Sequence, residues 1–427
     1  MDMLEKFEKL TTEVKIILGM IVALFIVSFI LIFNGNNTSN KKNGKETVNL
    51  TVDEGMTKET ETQTEPVTEE GNQKEASLNA KNDAEKLMKD MSLHDKICQM
   101  FIVSPEELTG VSLATLAGDT TKASIEKNPV GGIIYFEKNI KKRDQIKEMI
   151  EGTKKYAKDY NNVPLFACVD EEGGKVSRVA SALDDVTKLD SMYSYKDKGT
   201  DTARSNAKTI AESIAELGFN VDFAPVADTF SNSSNDVIGD RCYSDSYEEC
   251  ASLVSNAVKG FADGDVLCTL KHFPGHGDAS GDSHDGAAKS DKTLEELKKE
   301  DLVPFVSGIK AGAPFVMVGH ITMSDVDNEI ASLSKTIITD TLKGELGYQG
   351  IVITDALDMG AITSSYKSDE AAIKAIEAGA DMLLSPASLE DAVKGVEAAV
   401  KDGKISEDRI NESVLKILTL KCDSLDQ

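Results

Sequence analysis

Residues 266–286 read Val-Leu-Cys-Thr-Leu-Lys-His-Phe-Pro-Gly-His-Gly-Asp-Ala-Ser-Gly-Asp-Ser-His-Asp-Gly. The first five form an apolar run of the kind that makes a buried strand. Pro274 and the glycines that follow forbid regular structure, so the polar residues lie on a loop at the end of that strand. The chain has five histidines, and His272, His276 and His284 fall within this segment beside Asp278 and Asp282. Imidazole titrates near neutral pH, so such a cluster beside carboxylates points to proton transfer or metal binding. A strand that delivers chemistry at its C-terminal end is the signature of a parallel α/β sheet.

The same pattern recurs on both sides. Short apolar runs at 98–104, 132–136, 165–170, 221–227, 266–272, 315–320, 351–355 and 382–385 predict strands. Stretches of helical period at 143–159, 201–217, 247–262, 294–311, 335–346, 369–379, 388–401 and 406–421 predict helices. The last opens on Ser406 with Glu407 and Asp408 behind it, an N-cap followed by first-turn acids. Eight strands separated by helices over residues 81–427 predict an α/β fold of the (β/α)8 TIM-barrel type rather than an open sheet. No glycine-rich phosphate loop follows the early strands, and Asp170-Glu171-Glu172-Gly173-Gly174 is too acidic to cradle phosphate.

Asp170, Asp228, His272, His320 and Asp355 each stand at or just past a strand's C-terminal end, and in a barrel those ends share one face. One aspartate there is an ordinary helix cap. Five polar residues beside a histidine cluster make a candidate site. Asp355, at the mouth of the β-branched run Ile351–Thr354, is placed to serve as a nucleophile or base.

Outside this region the chain changes character. Residues 16–33 carry no charge and would span about 27 Å as a helix, against a hydrocarbon core of about 30 Å. With no small-x-small cleavage site following, they are expected to form a single-pass membrane anchor after a short tail, 1–15. Lys6, Lys9 and Lys15 before it balance Lys41, Lys42 and Lys45 after it, so charge leaves the orientation open. The polar linker beyond favours an extracellular domain at the cell membrane. Residues 34–80 are expected to be a disordered acidic linker, since nine acids and two lysines between Glu46 and Glu75 leave little to bury. The net charge of −26 excludes nucleic acid as a partner on electrostatic grounds. Six scattered cysteines lack CxxC spacing and imply no structural zinc, although Cys242 and Cys250 could pair outside the cell.

Taken together, KHFPGHG at 271–277 with DSH at 282–284, ITDALDM at 353–359, DEEGG at 170–174 and GFNVDFAPVAD at 218–228 resemble glycoside hydrolase family 3. The likeness is to its β-N-acetylhexosaminidase branch. MSLHDKICQMF at 91–101, PVGGIIYFEKNI at 129–140, VIGDRCYSD at 237–245 and RINESVLKILTLK at 409–421 extend it from about 80 to 427 in family order. The resemblance implies a (β/α)8-type barrel without cofactor or metal, and retaining cleavage of N-acetylglucosamine-containing glycans, among them cell-wall peptidoglycan fragments. It implies Asp355 as nucleophile, His284 with Asp282 as acid/base dyad, and Asp170, Arg241, Lys271, His272 and His276 as sugar-binding groups. After DSH the family continues with two residues and Leu-Pro, whereas this chain has Asp285-Gly286-Ala287-Ala288.

Three other readings stand beside it. The histidines could bind zinc, although Pro274 and Gly275 break the helix that an HxxxH ligand pair uses. A histidine acid/base would tolerate phosphate better than a carboxylate would, which suits a phosphorylase. The chain could also be a membrane-anchored sugar-binding protein without catalysis.

Overall fold

The computed structural model describes residues 69–281 and 288–425. Eight parallel strands close into a barrel in strict chain order. They are β1 (Phe101–Val103), β2 (Gly132–Ile134), β3 (Phe166–Val169), β4 (Val221–Asp222), β5 (Leu267–Phe273), β6 (Phe315–Val318), β7 (Ile351–Ala356) and β8 (Met382–Leu384). Each coincides with an apolar run in the sequence. The expected (β/α)8 barrel is therefore observed, and its interior is packed by side chains that meet across it, such as Phe166 on β3 edge-to-face with Phe315 on β6 at 5.4 Å. The fourth run is extended over fewer residues than expected because Pro225 brings no N–H to the ladder. Pairing nevertheless continues past it, through Thr269 N to Ala224 O (2.8 Å) and Ala227 N to Lys271 O (2.7 Å).

The predicted helices form the outer ring, with two changes, the first being that the stretch at 335–346 is a π-helix, Thr336–Glu345. The stretch at 294–311 is two helices, Leu294–Lys299 and Leu302–Lys310, broken where Glu300 leaves helical geometry. Pro304 falls in the first turn of the second, where a missing N–H costs nothing. Ser406 caps the last helix, Glu407–Ser424, through Arg409 N to Ser406 Oγ at 3.1 Å. Two short helices between β1 and β2, Pro105–Thr109 and Asp119–Lys127, carried too little periodicity to be read. Two small ribbons decorate the barrel mouth. Glu171–Gly173 pairs with Val176–Ser177, and Ala288–Ser290 pairs with Ile321–Met323.

The expected linker boundary at 80 needs correction. A helix already runs from Glu69 to Lys89 and packs on the C-terminal helix. Its composition is mostly polar, but Glu, Gln, Lys and Ala are good helix formers, and burial of Ala80 and Ala84, with Leu87 and Met88 packed on the core, supplies the contact. The predicted membrane span at 16–33 and residues 34–68 lie outside the described residues. Among the described residues no helix is long and apolar enough to cross a membrane. Cys242 and Cys250 do not pair: both are buried free thiols, with Cys242 Sγ 3.3 Å from Gly239 O and Cys250 Sγ 3.5 Å from Asp228 O.

Lys421, on the C-terminal helix, is completely buried. Its Nζ donates to Gln99 Oε1 (2.7 Å) and lies 4.8 Å from the centre of the Phe166 ring. Burial pulls this ammonium down to about 7. A lysine depressed in the folded state binds fewer protons there than in the unfolded chain, so stability rises with pH between about 7 and 10. Urea unfolding at pH 7 and pH 10 should show wild type gaining about 3 kcal/mol relative to Lys421→Met. Equal pH dependence of the two proteins would contradict this burial.

Candidate active site

The C-terminal strand ends surround a cavity of about 580 Å³. Asp170, Arg241, Lys271, His272, His276 and Asp355, six of the residues singled out in the sequence, all line it. Asp282 and His284, expected as the acid/base dyad, lie outside the described residues. The stems of that segment are fixed: Ser280 N donates to Lys289 O and Lys289 N to Ser280 O, both at 2.9 Å.

A compact charge network forms one wall. Lys271, at the end of β5, places Nζ 2.7 Å from Asp170 Oδ1 and 2.6 Å from Glu172 Oε1. Arg241 grips Glu172 with both prongs, Nε to Oε2 at 2.9 Å and Nη2 to Oε1 at 2.8 Å. Burial pushes the Glu172 carboxyl up, but Arg241 and Lys271 outweigh it and hold the group well below its ordinary range. Burial likewise pulls Lys271 down, and its two carboxylates raise it above the usual value. The lysine is a fixed cation. Lys271 and Arg241 were expected to hold sugar hydroxyls, and Glu172 was not singled out at all. Three consecutive acids follow β3, and only the fold shows their division of labour. Asp170 and Glu172 face the cations, while Glu171 turns back to accept from Val179 N (2.6 Å) and Ala180 N (3.2 Å).

The histidine-rich loop hangs from Asp228. This fully buried carboxylate accepts His272 N (3.1 Å) and His272 Nδ1 (2.7 Å) on one oxygen, and His276 N (2.6 Å) on the other. Burial raises Asp228, yet His272 and His276 bring it below its ordinary value, so it accepts and the imidazole Nδ1 carries the proton. His272 Nε2 is thereby free to accept and lies 3.5 Å from Arg241 Nη2. Asn235 Nδ2 binds the carbonyls of His276 (2.7 Å) and Ala279 (3.1 Å). Glycine at 277 follows from this close packing, because a Cβ there would meet Thr229 O at 1.7 Å.

Asp355 ends β7, its Oδ1 accepting Ala356 N at 2.8 Å. Burial pushes its carboxyl up, but His320, His272, the Ala356 N–H and Lys271 together hold it below the ordinary aspartate value. It is an ionised carboxylate facing the cavity. His320, behind it, is buried and held by Ser332 Oγ (2.7 Å) and Ala356 O (2.8 Å). A carboxylate aimed into a concave pocket, opposite a wall of charged hydrogen-bond donors, suits attack on a polar, hydroxyl-rich substrate.

Comparison with known proteins agrees with this geometry. Residues 92–420 match the glycosyl hydrolase family 3 N terminal domain. A β-hexosaminidase A of Pseudoalteromonas piscicida is 32% identical over 322 residues, 70% of this chain and 54% of that protein. A β-hexosaminidase of Xanthomonas oryzae pv. oryzae is 33% identical over 264 residues, 61% of this chain and 77% of that protein. The structure of a glycoside hydrolase family 3 β-N-acetylglucosaminidase from a Paenibacillus species superposes with a TM-score of 0.74 and 35% identity, covering 79% of this chain and 64% of that one. This chain therefore spans little more than half the length of the Pseudoalteromonas protein. A match across most of the chain, on a closed barrel with KHFPGHG, DEEGG and ITDALDM gathered at one mouth, makes this protein a member of glycosyl hydrolase family 3.

Proposed function

We propose that this protein is a retaining β-N-acetylhexosaminidase that removes terminal N-acetylglucosamine from glycans, cell-wall peptidoglycan fragments among them. The observation that carries the reading is Asp355, an ionised carboxylate on the wall of a cavity that also holds Asp170, Arg241, Lys271 and His272. The names of the relatives, β-hexosaminidases and a β-N-acetylglucosaminidase, support the choice of sugar.

In this mechanism Asp355 attacks the anomeric carbon and forms a glycosyl ester, while His284, oriented by Asp282, protonates the departing oxygen. The same imidazole then takes a proton from water, which attacks the ester, releases Asp355 and returns the sugar with its configuration retained. Lys271, Arg241 and Asp170 hold the sugar by charged hydrogen bonds, and His272 accepts from a hydroxyl through Nε2. Residues 16–33 tether the enzyme to the cell membrane, with the barrel on the outer side.

Turnover of an aryl N-acetyl-β-glucosaminide tests the assignment. Asp355→Ala should lower kcat more than ~10³-fold with the unfolding midpoint unchanged. Normal activity in that variant would sink the reading. His284→Ala should hurt substrates with poor, basic leaving groups far more than activated aryl ones, because only the former need a proton. An equal loss on both would remove His284 from the acid role. Glu172→Gln leaves Arg241 buried without its counter-ion and should cost roughly 3 kcal/mol in urea unfolding. The resulting displacement of Lys271 should also lower kcat/KM about 10²-fold. Stability and kinetics both matching wild type would show that Glu172 organises neither.

A further inference from the structure

Five large apolar side chains are exposed among the described residues: Leu78, Val111, Leu113, Leu116 and Tyr160. Three of them fall within six residues, on the loop 110–118 that joins the short helices Pro105–Thr109 and Asp119–Lys127. A single exposed leucine needs no explanation, but a cluster marks a surface that something else covers. The loop stands on the mouth side of the barrel, since the first of those helices leaves the C-terminal end of β1 and the second runs back toward the start of β2. Its backbone is held in place. Ala114 is buried, its N donating to Glu106 Oε1 (2.9 Å) and its carbonyl accepting from Asn139 Nδ2 (2.9 Å). Gln145 Nε2 donates to the carbonyl of Thr115 at 2.7 Å. With the backbone fixed there, Val111, Leu113 and Leu116 stay turned outward, the last 66% exposed.

The residues that pin this loop bring cations beside it. Asn139 lies within Lys138-Asn139-Ile140-Lys141-Lys142-Arg143, which leaves β2 just after Phe136 on the cavity wall, and Gln145 follows closely. Lys138 pairs with Glu106 at 3.3 Å, and Arg143 pairs with Asp185 and Glu216. Lys141 and Lys142 are exposed and make no ion pair among the described residues. Asp119, Glu137 and Asp144 are the acids closest in sequence, and they are outnumbered. Residues 110–147 hold seven cations and four acids, in a chain whose net charge is −26. Apolar side chains that project beside unpaired cations have the chemistry of an interfacial membrane contact. The leucines enter the boundary of the acyl chains while the ammonium groups meet anionic headgroups.

We propose that this rim of the mouth, Val111, Leu113 and Leu116 with Lys141 and Lys142, docks on the surface of an anionic lipid bilayer. The proposal rests on the membrane tether proposed above, since a chain held by residues 16–33 keeps the barrel close to lipid. Docking itself requires none of the glycosidase chemistry. A second copy of this chain is the poorer occupant, because two such rims meeting face to face would set like charges against each other. Docking brings the cavity mouth beside the lipid, so on the glycosidase reading glycans close to the membrane are the substrates within its reach.

The chain has no tryptophan, so Leu113→Trp supplies a single fluorescent reporter on the rim. Tyr160→Trp is its control, because Tyr160 lies near the other end of the helix Arg143–Asn161, about 25 Å along the axis from Arg143. Each full-length protein is reconstituted into vesicles of phosphatidylglycerol and phosphatidylcholine, with brominated acyl chains as the quencher. Emission of the Leu113→Trp protein is expected to shift to the blue and to be quenched severalfold more than that of Tyr160→Trp. The difference should shrink with added salt and in phosphatidylcholine alone. Adding Leu116→Ser, or Lys141→Ser together with Lys142→Ser, should reduce the quenching. Equal quenching of the two reporters, or quenching of neither, would overturn the proposal. A blue shift without quenching would also overturn it, since that buries the loop against protein, a second copy included. Release of the protein from the vesicles by alkaline carbonate would count against the tether, and quenching before that release would still support the docking rim.

Discussion

Glu172 holds two buried cations at once, and the shape of the cavity wall depends on it. Its carboxylate meets Arg241 in a two-pronged pair and Lys271 at 2.6 Å. The three side chains come from the exits of three successive strands, β3, β4 and β5, so one desolvated contact fixes three loops against each other. Such a network is costly to assemble away from water and still more costly to break singly. It persists because Asp170 supplies the second anion, leaving two positive and two negative groups. The wall is charged yet close to neutral, which suits the sugar hydroxyls of the proposed reaction.

Asp355 faces this wall under a different balance. No ion pair among the described residues fixes it, yet the surrounding imidazoles and Lys271 hold it ionised against its desolvation. The nucleophile role proposed for Asp355 needs that combination, since burial alone would protonate the carboxylate and a tight salt bridge would blunt it. Asp228 serves the same end from beneath. By taking two backbone N–H groups and one imidazole N–H, it fixes both the path of residues 272–276 and the tautomer of His272.

The architecture was legible because buried parallel strands are short apolar runs, and all eight such runs are barrel strands. Polar residues ending those runs pointed to the mouth, and Asp170, His272 and Asp355, read from that position, line the cavity there. What escaped was information that only tertiary structure holds. Glu172 is one of three adjacent acids, and nothing local separates it from Glu171, which instead caps a short helix. The helix over Glu69–Lys89 escaped because its stability comes from packing Ala80 and Ala84 against the C-terminal helix, a contact invisible in a composition that looks like tether. The pairing considered for Cys242 and Cys250 came from spacing alone, and their thiols point at separate backbone carbonyls.

The central claim is that Asp355 becomes covalently bonded to the sugar. The most direct measurement is mass spectrometry of the enzyme after reaction with a 5-fluoro N-acetylglucosaminyl fluoride, which forms the ester quickly and hydrolyses it slowly. The expected result is one added fluorosugar per chain, on the peptide that contains Asp355. A label on any other residue, or sustained cleavage of the reagent with no covalent adduct at all, would contradict it.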